Sequence, residues 1–210
     1  MNHSATYLAR TFFVTTCLVF GCSGGGTLGC GSSSSSTPEV DSNLIGTYQV
    51  NSYEGSQTDC TQPEPISPSP SYLVLYSFVT NDKPDEPHLG AAFCSSPAQC
   101  ADVAKEAPVP GFNAYAFTSG DDASGWTGFG ISRAGPVADQ CSADVQTHTM
   151  TSPSSGVISI ETRTQEVVFP PDMVAGDTVT CKNSDALAAL TPDLPCMAII
   201  LVDATLDTSN

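Results

Sequence analysis

Short stretches of alternating apolar and polar residues follow one another from about residue 43 to the end of the chain. They are rich in Val, Ile, Thr and aromatic residues, and alternation places every second side chain on one face of a sheet. We predict strands over 44–50, 72–79, 88–94, 112–117, 126–133, 143–151, 157–166 and 197–206, with a further short strand near Val179. The stretch 72–79 is apolar on both faces, which predicts a central strand.

Turn-forming residues separate these stretches. They predict turns over 81–87 and 119–122, and Ala-rich segments predict short helices over 97–107 and 185–190. About eight strands joined by local turns indicate an all-β domain built as an antiparallel meander. Closure into a barrel would remove the exposed sheet edges, so an up-and-down barrel is one interpretation, and a two-sheet sandwich is the alternative.

The first predicted strand carries a family resemblance. Gly46-Thr47-Tyr48 resembles the Gly-x-Trp start of the first strand of the lipocalins, with Tyr in place of Trp. Together with the strand count, this resemblance implies an eight-stranded lipocalin-like barrel, which can hold one small ligand or be filled by side chains.

The N-terminus has the features of an export signal. Arg10 precedes an apolar run, 11–21, that is far shorter than the roughly 20 residues needed to span a bilayer. The run ends in Val19-Phe20-Gly21-Cys22, which resembles the lipobox of bacterial lipoproteins. This resemblance implies that Cys22 becomes the N-terminus and carries a diacylglycerol and an amide-linked acyl chain such as palmitate. Ser23 in place of Asp implies sorting to the outer membrane of the cell envelope.

These features divide the chain into three parts. We predict a signal peptide over 1–21, a lipidated Gly/Ser-rich tether over 22–42 and a single β domain over 43–210. The tether cannot bury a core, and some 20 residues of this composition reach roughly 25 Å.

Charge narrows the possible partners. The full chain has six Lys and Arg against 22 Asp and Glu, and removing Arg10 with the signal leaves five against 22, a net charge of −17. Such a surface repels phosphate backbones, so we expect no nucleic-acid partner. The membrane would be contacted only through the lipid anchor.

Nine cysteines agree with export. Cys17 is lost with the signal and Cys22 is the predicted anchor. Cys30 lies in the tether and, after Thr27-Leu28-Gly29, is a second lipobox candidate. The other six allow 15 connectivities, of which we favour the local pairs Cys94–Cys100 and Cys181–Cys196, leaving Cys60–Cys141. Metal ligation would favour closely spaced CxxC or HxxxH patterns, which are absent, so we expect no metal site.

Candidate catalytic groups are few. Gly130-Ile131-Ser132-Arg133-Ala134 has the outline of a nucleophile elbow, but that motif needs an α/β sheet and a downstream histidine. His148 is the only downstream histidine, and its polar neighbours indicate a solvated strand position. His88 is the other histidine of the mature chain. Asp121-Asp122 lacks the spacing of a calcium loop and is interpreted as a turn. We therefore expect no catalytic residues and no cofactor.

Aromatic residues are the candidates for a ligand-binding wall. These are Trp126, Tyr48, Tyr72, Tyr76 and Phe129, each of which could instead fill the core. The chain is thus interpreted as a non-enzymatic envelope lipoprotein that binds a small apolar ligand or an envelope component. A structural or surface-interaction lipoprotein with a filled core is the alternative, and an envelope hydrolase has the least support.

Overall fold

Alternating residues form strands along most of the chain in the computed structural model, which describes residues 38–58, 60–109, 114–137, 139–174 and 178–208. The strands are β1 (Gly46–Ser56), β2 (Glu64–Pro65), β3 (Tyr72–Thr80), β4 (Lys83–Cys94), β5 (Ala114–Phe117), β6 (Ser119–Asp121), β7 (Gly125–Val137), β8 (Gln140–Ser154), β9 (Val157–Phe169), β10 (Asp172–Val174), β11 (Thr178–Thr180) and β12 (Cys196–Leu206). Two short helices, α1 (Pro97–Glu106) and α2 (Asn183–Ala189), accompany them. The predicted all-β fold class is confirmed.

Ten of these strands form one sheet in the order β5–β4–β3–β1–β12–β9–β8–β7–β6, with β2 paired to β1. Every strand pair in the described ranges is antiparallel. Successive long strands pair with each other except β4 and β7, which are separated by β5 and β6, and the first and last long strands, β1 and β12, also pair. The sheet is therefore a nearly closed up-and-down barrel, and the sandwich alternative is wrong.

The barrel approaches closure at β5 and β6, which only Thr118 separates. Strand β5 pairs with β4 while β6 pairs with β7, and Thr118 N donates to Thr127 O over 2.9 Å. Beside this seam, Gly128 of β7 lies against β5. A Cβ at Gly128 would lie 1.7 Å from the Ala116 carbonyl oxygen, so the absence of a side chain permits the close approach of the two backbones.

Large apolar side chains fill the barrel from the end where β1 begins, here called the lower end. The buried interior set is Leu44, Tyr48, Leu73, Leu75, Leu89, Ala91, Tyr115, Phe117, Trp126, Met150, Ile158, Ile160, Val202 and Ala204. Burial of these side chains is the main source of stability, at roughly 1.5–3 kcal/mol for each large one.

Both helices cover apolar side chains on the outer face of the barrel. Helix α1 packs over Val74 and Tyr76 of β3, and α2 packs over Val145 and Val167 of β8 and β9. Strand β3 is therefore buried by the interior on one face and by α1 on the other. This explains why the stretch 72–79 is apolar on both faces.

Two predicted turns are corrected by the structure. The turn predicted over 81–87 spans only the two residues between Thr80 and Lys83, because β4 begins at Lys83. The turn predicted over 119–122 is mostly strand β6, and the turn itself lies over 122–124. In both places the polar residues are exposed strand residues, whose backbone pairing composition does not reveal. Residues 112 and 113 of the predicted strand over 112–117 lie outside the described ranges.

Three disulfides link the six cysteines of the domain, and one of them is the predicted Cys94–Cys100 pair, whose Cα atoms are 5.4 Å apart. This bridge ties the end of β4 to α1. The helix begins after Ser96, whose Oγ accepts a hydrogen bond from Gln99 N at 3.2 Å. The local pairing is confirmed because strand end and helix are adjacent in both sequence and space.

The other two predicted pairings, Cys181–Cys196 and Cys60–Cys141, are wrong. Cys60 pairs with Cys196 and Cys141 pairs with Cys181, each with Cα atoms 5.6 Å apart. Pairing of β1 with β12 brings the loop after β1 to Cys196, although 136 residues separate the two cysteines. Cys181 lies just before α2, which packs on β8 beside Cys141. Strand pairing, not distance along the chain, sets both partners.

The N-terminal segment ahead of β1 is attached to the barrel. Val40 N donates to Ser77 Oγ over 2.9 Å, and Ser42 Oγ and Asn43 N both donate to the Asp122 carboxylate over 2.6 Å. Residues 38–42, the end of the predicted tether, therefore contact the folded unit.

The signal peptide, the lipobox, Cys22, Cys30 and the rest of the predicted tether lie outside the described residues. Within the described ranges, neither helix has the length and hydrophobicity of a membrane span.

Candidate functional site at the barrel mouth

A cavity of about 470 Å³ opens at the upper end of the barrel, here called the mouth. Six strands supply its walls, from β1, β4 and β5 on one side to β8, β9 and β12 on the other. Its lining residues are Tyr53, Pro68, Ser69, Pro70, Phe93, Tyr115, Gln146, His148, Thr162 and Ile200. No side chain in this set carries a formal charge at neutral pH, although the chain is strongly acidic.

The cavity arises because the inward-facing residues change character towards the mouth. On β8 the inward residue Met150 is followed two positions upward by His148 and then Gln146, and on β9 Ile160 is followed by Thr162. On β7 the residue opposite His148 is Gly128. Smaller and polar side chains therefore replace the large apolar ones, and the interior is no longer filled.

Aromatic rings form a continuous wall along one side. Tyr53 meets Phe93 with ring centroids 5.5 Å apart, and Phe93 meets Tyr115 at 5.8 Å, both edge to face. Tyr115 in turn meets the His148 imidazole at 5.1 Å. Such edge-to-face contacts fix the orientation of the rings, so the wall is already ordered without a ligand.

Three polar side chains meet at the floor of the cavity. His148 is 5 % exposed and Thr162 3 % exposed, and His148 Nδ1 is 3.0 Å from Thr162 Oγ1. Tyr115 lines the cavity beside them. Desolvation lowers the pKa of His148 from 6.5 to about 4, so the imidazole is neutral at neutral pH. The pKa of Tyr115 is raised by burial and by the nearby Tyr53.

A proline-rich loop lies over the mouth. Pro68, Ser69 and Pro70 reach the cavity from the segment between β2 and β3. Backbone hydrogen bonds tie both ends of this segment to β1: Ile66 N donates to Tyr53 O at 2.9 Å, and Val50 N donates to Ser71 O at 3.0 Å. The loop is thus held in place as part of the wall.

The five aromatic residues predicted to line a ligand site do not line this cavity. Trp126 and Tyr48 are inside the barrel but below it, in the filled core. Trp126 Nε1 donates to Asp122 Oδ1 at 2.9 Å and Tyr48 Oη donates to Leu44 O at 2.8 Å. Burial and the negative charge of Asp122 raise the pKa of Tyr48 to about 12. These two rings close the lower end.

The other three predicted residues lie on the outer face. Tyr76 is buried under α1, where its hydroxyl donates to Pro108 O at 3.0 Å, and Tyr72 packs against the same cluster. Phe129 is 45 % exposed on the outside of β7. The prediction failed because a strand pattern shows which residues share a face but not which face is the interior.

The other sequence candidates are not brought together as sites. Ser132 lies at a register shift between β7 and β8, and its Oγ donates to Asp144 O at 3.4 Å, whereas His148 pairs with Thr162. Asp121 Oδ1 accepts hydrogen bonds from Ala123 N and Ser124 N, which is a local turn. Over the described residues, no group of three or more potential ligand side chains is arranged to hold a metal ion.

His148 is a correction, because its position is buried and not solvated. The missed signal is its spacing: His148 lies two positions from Met150 and therefore faces the same side of β8. Tyr53, Phe93, Tyr115 and Thr162 were missed because nothing local distinguishes them from other strand residues.

Comparisons of this chain with protein-family models, with curated proteins and with solved structures find no match.

Proposed function

We propose that this protein is a cell-envelope lipoprotein whose barrel binds a small, largely apolar molecule at its mouth. The observation that carries the proposal is the cavity of about 470 Å³, walled by Tyr53, Phe93 and Tyr115 and floored by buried polar side chains. Ligand sites of this kind are concave, mostly apolar and about 300–1,000 Å³ in volume, with a few polar groups that orient the ligand. The proposed role is binding and not catalysis.

A second candidate function rests on a separate surface. An outer groove of about 360 Å³ runs between Phe129 of β7 and the segment after α2, and Leu190, Pro192 and Leu194 line it. This groove favours the surface-interaction alternative, in which an envelope protein contacts the outside of the barrel. The mouth is preferred for the first proposal because its walls come from six strands and its polar groups are buried.

The first test compares the native and denatured masses of the mature chain purified from the envelope. A discrete extra mass that only the native protein carries would identify the bound molecule directly. If the native protein carries no extra mass, binding in the cavity is tested with an added probe.

The probe experiment uses a variant in which one residue of β12 is enlarged to fill the cavity. Ile200→Trp places a larger side chain into the mouth, and we expect about tenfold weaker binding of the neutral fluorophore N-phenyl-1-naphthylamine, which corresponds to roughly 1.4 kcal/mol. Leu201→Trp is the matched control, because adjacent residues of β12 face opposite sides of the sheet. Equal affinities for the two variants would contradict binding at the mouth.

Lipid anchoring has its own test. Cys22→Ala should abolish labelling by a radioactive fatty acid and leave unprocessed precursor, because the thiol is the proposed acceptor of the diacylglycerol. Stable anchoring needs more than one acyl chain. Because the variant would not be lipidated, it should also be lost from the membrane fraction. Cys30→Ala is the control and should keep both labelling and processing. Labelling that survives in Cys22→Ala would overturn this part of the proposal.

A further inference from the structure

The chain enters the barrel at the lower end, opposite the mouth. Strand β1 begins there at Gly46, and Tyr53 further along the same strand lines the cavity. A rise of about 3.4 Å per residue separates the two positions by roughly 24 Å along the strand. The part of the chain that precedes β1 is therefore joined to the barrel at its lower end.

Residues 38–44 are fastened to that same end. Leu44 is buried in the interior set and Val40 packs against it. Val40 N donates to Ser77 Oγ near the lower end of β3 over 2.9 Å, and two further donors of the segment bond the Asp122 carboxylate in the turn after β6. These partners lie on opposite sides of the seam between β5 and β6, so the segment is held across the lower end.

The segment meets the barrel beside the last residues of β3. Pro38 and Glu39 line an outer groove there together with Phe78 and Val79. None of residues 38–44 lines the mouth cavity. An anchor on the N-terminal side of Pro38 is thus connected to the end of the barrel that lacks the cavity.

The barrel is longer than the reach expected of the tether. Strand β7 begins at Gly125 at the lower end and continues past the mouth to Val137, so its 13 residues span roughly 40 Å. A strand tilt of about 35–45° reduces this to roughly 30 Å along the barrel axis. Fifteen residues lie between Cys22 and Pro38, and their Gly/Ser-rich composition predicts a reach of roughly 22 Å.

We propose that the anchored barrel opens away from the bilayer and takes up its ligand from the aqueous phase, not directly out of the membrane that holds the anchor. Bringing the mouth to that membrane would stretch the tether along the full length of the barrel, which lowers the conformational entropy of the tether. The inference rests on the proposed anchor and binding site, and it adds the source of the ligand to them.

The test compares the distances of the two ends from the bilayer. The full mature lipoprotein is reconstituted into phosphatidylcholine vesicles that contain a trace of rhodamine-labelled lipid. Ser69→Cys places a thiol for a donor fluorophore on the loop at the mouth, and Ala123→Cys is the matched exposed position in the turn at the lower end. Both variants also carry Cys30→Ala, because the other cysteines are held in disulfides or by the lipid.

Energy transfer to the rhodamine lipid should be at least about twofold greater from position 123 than from position 69, since the two ends are separated by roughly 24 Å along the strands. Iodide, which stays in the water, should quench the label at position 69 at least as strongly as the label at position 123. Vesicles without rhodamine give the donor-only intensity.

The outcomes separate the inference from the proposals on which it rests. Equal transfer from the two positions, or greater transfer from position 69, would overturn the orientation and leave the anchor and the cavity intact. Weaker iodide quenching at position 69 would also overturn it. A mature chain that does not associate with the vesicles would instead overturn the proposed anchor. Absence of N-phenyl-1-naphthylamine binding by the same protein would overturn the proposed binding site.

Discussion

Replacement of Gly128 with alanine should destabilise the barrel by on the order of 3 kcal/mol or more, because the new methyl group meets backbone on a neighbouring strand. A Cβ at Gly128 would lie 1.7 Å from the Ala116 carbonyl oxygen and 3.0 Å from the Phe117 Cα. Overpacked side chains can turn away, but backbone atoms of paired strands cannot move without breaking the sheet. The substitution should therefore force β5 away from β7 at the seam.

Urea denaturation followed by Trp126 fluorescence measures this effect, since Trp126 lies two residues from Gly128 and is buried in the barrel. Gly135→Ala on the same strand is the matched control. A Cβ at Gly135 has no atom within 4 Å, so that variant should be as stable as the wild type or slightly more stable. Equal stability of the two variants would show that the strands are not in close contact at Gly128.

The stability of the protein should fall by about 3 kcal/mol between pH 6.5 and pH 4 through His148 alone. The pKa of His148 is about 4 in the folded protein and near 6.5 in the unfolded chain, because burial disfavours the imidazolium. Well above pH 6.5 the imidazole is neutral in both states and contributes no pH dependence. As the pH falls from 6.5 to 4, only the unfolded chain takes up the proton, and unfolding becomes more favourable.

The comparison of wild type with His148→Asn isolates this contribution from that of the many carboxylates. Asparagine can keep the hydrogen bond to Thr162 but does not titrate, so the free energy of unfolding of the variant should fall less over this pH range. His88→Asn, with the same change outside the barrel interior, should keep the wild-type fall because His148 is intact. Parallel profiles for wild type and His148→Asn would contradict the burial of a neutral imidazole.

His148 shows a limit on what a strand pattern predicts about the burial of a residue. His148 has polar neighbours at Gln146 and Asp144, which indicated a solvated position. The side chain is nevertheless buried, because it faces the barrel interior on the same side of β8 as Met150. Its polar neighbour Gln146 lines the cavity at the mouth, so polar residues on one face of a strand do not by themselves indicate solvent.

The disulfides show the same limit for the prediction of cysteine pairing. Cys94–Cys100 was predictable because a bridge over six residues joins two elements that the local sequence already places together. Cys60 and Cys196 are brought together by the pairing of β1 with β12, which is the last contact of the meander to form in chain order. Their pairing depends on the closure of the whole barrel and could not be inferred from spacing.

Local sequence patterns were sufficient to predict the fold class, most strands and both helices. Alternation, turn residues and helix caps act over a few residues, and the free energies they contribute do not require distant partners. The even number of domain cysteines and the order of a simple meander follow from the same kind of information. These properties could be predicted because each depends on neighbours in the chain.

The candidate site depends on distant neighbours. Tyr53, Tyr115, His148 and Thr162 come from four strands and meet only because the sheet curves back on itself. Shifts of register at Asn51 and Ser132 also change which residues face inward, and no local pattern marks them. The alternating residues thus determine the strands of the barrel wall. The position of the cavity and the chemistry of its floor are decided by closure of that wall, because burial and hydrogen bonding at the mouth involve strands that are distant in sequence.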